Sequence, residues 1–168
     1  DAMVAFYDAI LNWVIEDKDI GLLIKPKKTH FLNAMPDVLI KIKELERNNH
    51  RVHLVKDSFQ KMPNSYLYGI DMVIGTSTFF PSAVLECSIR GKRAVFYDYP
   101  NLRQHEPSLY KWGENQVIFP DLDKMIADLK EYKNDHTSKP NIGNWSVIQD
   151  ELDPFRDDKG GDKIGTYM

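Results

Sequence analysis

The apolar run Asp71-Met72-Val73-Ile74 is followed by a turn, Gly75 to Pro81, that carries hydroxyls at Thr76, Ser77 and Thr78, with Ser82 one residue into the helical pattern beyond. A strand giving way to a helix exposes unpaired N–H groups and the positive end of the helix dipole. That environment suits phosphate oxygens, and hydroxyls add donors without the desolvation cost of a buried charge. Helix capping uses the same residue types, so the turn alone serves either purpose. Glu86 tips the balance. It lies one turn after Ser82, so on a helix the two face the same way, and its neighbours Leu85 and Cys87 argue against full solvation. A carboxylate one turn behind a phosphate site can accept both hydroxyls of a ribose.

Other candidates sit at matching points of the pattern. Lys25, with Lys27 and Lys28 close behind, ends the strand Gly21 to Lys25, where one ammonium group would neutralise a diphosphate; a solvated strand end is the plainer reading. Arg103, Gln104, His105 and Glu106 follow the strand that ends at Asp98 and would line the sugar side of a pocket there. Trp112, beside Gly113 and Glu114, would stack on a base or pack on the nearest helix. His30, His53 and His105 show no regular spacing with acids or with one another, so no metal centre is expected. Ser77 sits in Gly-Thr-Ser-Thr and not in a nucleophile elbow, and neither a dinucleotide glycine fingerprint nor a Walker lysine is present. These absences disfavour dehydrogenases, P-loop ATPases and serine hydrolases, and no cofactor is expected.

The elements that must position these residues read as an alternation. Apolar positions Phe6, Ala9, Ile10, Trp13 and Val14 predict a helix over 2–16; Pro36 to Asn48, Pro81 to Gly91 and Leu122 to Lys133 carry the same spacing. Short apolar runs at 21–25, 51–55, 71–74, 93–98 and 116–119 predict strands, and a polar stretch from Asn134 to Asn144 precedes a tail. The expectation is an α/β, Rossmann-like three-layer sandwich with one mostly parallel sheet of about five or six strands, covered by helices on both faces. Ligands of such sheets lie beyond the carboxyl ends of the strands, where the turns above are found.

Composition sets the outer limits. At 168 residues and 42% hydrophobic content the chain has room for one domain, expected over residues 1–150 with a tail over 151–168. Mixed charges, 22 basic against 25 acidic, give no broad cationic face for nucleic acid or membrane. No apolar run approaches the ~20 residues of a transmembrane helix. Cys87 is the only cysteine, which excludes an internal disulfide and points to a reducing cytoplasm, the inner face of the membrane included. The opening Asp1-Ala2-Met3 reads as a start inside something larger.

The stretch from Ile74 to Val95, with Gly75-Thr76-Ser77 ahead of a helix bearing Glu86 and then Gly91-Lys92-Arg93, resembles the donor-site signature of GT-B glycosyltransferases. The tail Leu152-Asp153-Pro154-Phe155-Arg156-Asp157-Asp158-Lys159 resembles the ending of bacterial surface-polysaccharide biosynthesis proteins of that fold. Arg93 stands where the pattern commonly has proline, and Asp158 where the tail commonly has glycine. The resemblance implies the C-terminal half of a GT-B enzyme that binds a nucleotide diphosphate-sugar. Thr76, Ser77 and Ser82 would contact the donor phosphates, Glu86 the ribose, and Lys25 would help with charge. An N-terminal domain, absent here, would bind the acceptor and supply the catalytic base. A sugar-nucleotide epimerase of the UDP-GlcNAc 2-epimerase kind shares this architecture. A non-catalytic regulatory module is disfavoured because Lys25 and Lys27 stand where a receiver domain needs paired acids.

Overall fold

The computed structural model describes residues 1–27, 29–48, 50–55, 63–77 and 82–152. The alternation is present: α1 (Ala2–Glu16), β1 (Leu22–Ile24), α2 (Pro36–Asn48), β2 (Val52–Leu54), β3 (Met72–Thr76), α3 (Ser82–Ile89), β4 (Arg93–Tyr97), β5 (Ile118–Phe119), α4 (Leu122–Asn134) and α5 (Ser146–Leu152). Short 3-10 turns occupy Thr29–Ala34, Pro63–Tyr66, Leu102–Gln104 and Pro107–Trp112. Helix starts follow their sequence signals. The Asp1 carboxylate accepts from the Met3 N–H at 2.9 Å, Pro36 opens α2, and the Asp121 carboxylate accepts from the Lys124 N–H at 2.7 Å.

All strand pairings among the described residues are parallel, but they do not form the single sheet of five or six strands that the sequence suggests. β1 pairs with β2, and separately β3, β4 and β5 form a three-stranded sheet in that order. β1 and β2 have three residues each and β5 has two, so each ladder has few hydrogen bonds and side-chain packing must join the sheets. Helix α1 does the joining. Phe6, Ile10 and Trp13 pack with Val95, Tyr97 and Phe119 of the larger sheet, while Leu11 and Val14 pack with Ile24, Val52 and Leu54 of the smaller one.

Side-chain alternation along β4 gives the larger sheet its two covered faces. Val95 and Tyr97 face α1 and α4, where Met125 and Leu129 are buried. Ala94 and Phe96 face the opposite way, towards Val84 and Leu85 of α3, Leu109, and Trp145 and Ile148 around α5.

The chain after α4 departs from a plain polar stretch and tail. Gly143, at φ +67°, donates to the Gln116 carbonyl at 2.8 Å and accepts from the Ala94 N–H at 3.0 Å, filling a ladder position beside β4. Arg93 donates to the carbonyls of Pro140 at 2.9 Å and Ile142 at 2.6 Å, and the Trp145 indole donates to the Ala94 carbonyl at 2.6 Å. The Asn144 side chain then accepts from the Ser146 N–H at 3.1 Å as α5 begins, and α5 runs across the 150/151 boundary expected between domain and tail. The tail motif from Asp153 onward lies outside the described residues, as do Lys28, Thr78 and Pro81.

Candidate functional site

β3 and α3 approach each other closely at their shared connection. A Cβ on Gly75 would lie 2.4 Å from the Val84 Cγ2, so only glycine lets the helix seat against the end of this strand. Thr76 then donates its hydroxyl proton to the Tyr97 carbonyl at 2.8 Å, tying the carboxyl ends of β3 and β4. That proton is spent within the sheet, so the Thr76 hydroxyl donates to no phosphate while the bond stands. Ser77 follows, half-buried, and Ser82 opens α3 with its side chain exposed.

Glu86 lies one turn further along α3. Its Oε1 is sealed from solvent and has no hydrogen-bond partner among the described residues. A buried acceptor without a donor costs about 1–3 kcal/mol, and more when charged. Burial pushes the neighbouring Cys87 thiol up to about 11, with the Glu86 carboxylate adding to the rise and the Lys25 ammonium acting against it. Lys25 follows directly on β1, so the edge of the smaller sheet brings its charge into the region where α3 carries Glu86. Lys27 is exposed on the same loop.

The segment after β4 is organised differently. Asp98, 2% exposed, accepts from the Leu102 N–H at 2.9 Å and from the Tyr110 hydroxyl. Burial and the bond to Asp98 push the Tyr110 hydroxyl far above its ordinary value, against the pull of Arg103. Arg103 pairs with Glu114 and lies 4.2 Å above the centre of the Tyr110 ring, so its charge is already engaged within the loop. His105 is exposed just past the Leu102–Gln104 turn. Trp112 packs edge-on against Trp145 with ring centres 6.0 Å apart, the packing alternative to stacking on a base.

The structure thus brings the end of β3 that carries Gly75 against α3, the helix of Ser82 and Glu86, and sets Lys25 within electrostatic reach of Cys87 on that helix. Arg103 and His105 belong to the neighbouring loop, and Thr78 is outside the described residues. Asp98 escaped the sequence reading as an organiser of that loop. Its signal was a lone acid directly after the apolar run Ala94-Val95-Phe96-Tyr97, four residues before Leu102. Among the described residues no group of His, Cys, Asp and Glu is arranged to hold a metal ion, and no helix is long and apolar enough to cross a membrane. An open depression of about 310 Å³ lies elsewhere, between the ends of α1 and α4, lined by Trp13, Glu16, Asp17, Lys18, Lys130 and Asn134. Both helices finish there, on the amino side of the strands and away from Ser82. No known protein family, curated protein or solved structure matches the chain.

Proposed function

We propose that this chain is the donor-binding half of a GT-B glycosyltransferase of bacterial surface carbohydrate synthesis, with a Rossmann-like arrangement, that receives a nucleotide diphosphate-sugar where β3 passes into α3. The observation that carries the reading is the buried, unpartnered Oε1 of Glu86, one turn behind Ser82. A ribose supplies the hydroxyl donors such an oxygen lacks, while the attached diphosphate lies towards the helix start, where N–H groups and the dipole favour an anion.

Ser77 and Ser82 then contact phosphate, and Thr76 contributes by holding β3 to β4. Lys25 brings positive charge to the diphosphate from the smaller sheet. Arg103 and His105 stand on the sugar side, with Arg103 first leaving Glu114. Such a surface-exposed ion pair is worth about 0–1 kcal/mol, so the exchange is inexpensive. In transfer, an acceptor hydroxyl attacks the anomeric carbon, the bond to the diphosphate breaks, and the departing negative charge is stabilised at the helix start and by Lys25. The acceptor and the catalytic base belong to a second domain in this reading.

A thermal-shift panel of UDP, CDP, GDP, CMP and their sugars tests it. A nucleotide present at about a hundred times its Kd stabilises the folded chain by about 2.7 kcal/mol, several degrees in Tm. Glu86→Ala is expected to abolish that shift. Absence of any shift at millimolar concentration, or a shift that survives Glu86→Ala, contradicts the proposal.

A further inference from the structure

Helix α3 has eight residues, too few to be stable without packing. One face rests on β3 and β4, and the Pro63–Tyr66 turn lies against the helix as well. Among the described residues, α5 adds further support. Ile148, fully buried, shares a core cluster with Val84 and Leu85, and Gln149 donates its side-chain amide to the Ser88 carbonyl at 2.6 Å. α5 is in turn fixed to the sheet by the Trp145 indole, the Gly143 ladder bonds and the Arg93 guanidinium. The last turn of α3 is therefore bonded to a segment about sixty residues later in the chain, which is itself hydrogen-bonded to β4.

We propose that α5 is a latch on α3: its release frees the helix that carries Ser82 and Glu86, while β3, β4, β5 and the helices on the opposite face stay folded. Whatever holds or displaces α5 then controls the docking of α3, independently of the ligand that α3 receives. Opening in such cooperative subunits is a general property of folded chains, and the short helix with few supports is the one to open first.

Cys87 reports on it. It is the only cysteine, lies on α3 and is 2% exposed, so its labelling rate reports how often that burial is lost. The experiment is the labelling rate of Cys87 by 5,5′-dithiobis(2-nitrobenzoic acid) in the folded protein, under conditions where opening is fast relative to labelling. Gln149→Ala, which removes one half-buried hydrogen bond, is expected to raise the rate about three- to tenfold. Ile148→Ala is expected to raise it about thirtyfold or more. Met125→Ala, which weakens the opposite face of the sheet, is expected to leave labelling at the wild-type rate in the native regime. An unchanged rate in Gln149→Ala overturns the latch, as does labelling that rises with global destabilisation equally in the Met125 and α5 variants. Gln149→Ala leaves the core intact, so the test stands even if Ile148→Ala fails to fold.

Discussion

Gly75 and Val84 meet where β3 hands over to α3, and the space a Cβ would need at position 75 is already taken by the Val84 Cγ2, 2.4 Å away. The contact sets how closely the helix start stands to the strand end, and so the shape of the connection that bears Ser77 and Ser82.

Gly75→Ala is accordingly expected to destabilise the chain by about 1–3 kcal/mol, because the short, stiff valine cannot turn aside cheaply. Val84→Ala in the same chain should relieve part of that cost, leaving a coupling of about 1 kcal/mol in a double-mutant cycle followed by urea unfolding. Strictly additive effects would show that the two residues do not touch.

Gly143 and Gly91 separate backbone strain from steric crowding. Both have positive φ, but an added Cβ at Gly143 would sit 2.9 Å from the Ala94 nitrogen, whereas at Gly91 it meets nothing within 4 Å. Gly91→Ala should cost about 1 kcal/mol and Gly143→Ala clearly more, since the residue and the ladder bonds around it must move. Equal costs in denaturant unfolding would mean that the segment after α4 yields freely.

Asp128 gives the stability a readable pH dependence. Burial raises its pKa, but hydrogen bonds from Lys124 at 2.8 Å and the ion pair with Lys139 at 3.0 Å outweigh burial and hold the carboxyl below its ordinary value. A depressed folded value means that the stabilisation is complete above about pH 4, the unfolded value, and is lost as the pH falls through the lower folded one. Asp128→Asn should therefore lower the unfolding free energy by about 1–2 kcal/mol at pH 7. The gap from wild type should close as the pH falls below about 4, the unfolded value. A gap that stays constant over that range would assign the loss to packing.

Local pattern made most elements readable. The stripe of Phe6, Ile10, Trp13 and Val14 lies buried on α1, and each of the five apolar runs overlaps a strand, although β3 continues through Gly75 and Thr76, which were expected in the turn. What depends on distant partners was not readable. Arg93, which breaks the expected proline, finds its carbonyl acceptors at Pro140 and Ile142, 47 and 49 positions away, and no local rule announces such a bond. α5 has seven residues and is held by Trp145 and Ile148 reaching β4 and α3, so its periodicity is too brief to stand out. The division into two sheets follows from ladders of two to five residues, which composition does not reveal. The shared helix of Ser82 and Glu86 was legible from their spacing, whereas Arg103's engagement with Glu114 and Tyr110 needed the folded loop.

The most direct measurement is an amide ¹H–¹⁵N titration of the chain with the nucleoside diphosphate that raises its Tm most. Shift perturbations should concentrate at Thr76, Ser77 and Ser82 to Glu86, with Lys25 next, and should vanish in Glu86→Gln. Perturbations clustered at Trp13, Asp17 and Lys130, in the depression between α1 and α4, or none at all at saturating nucleotide, would contradict donor binding at the β3–α3 connection.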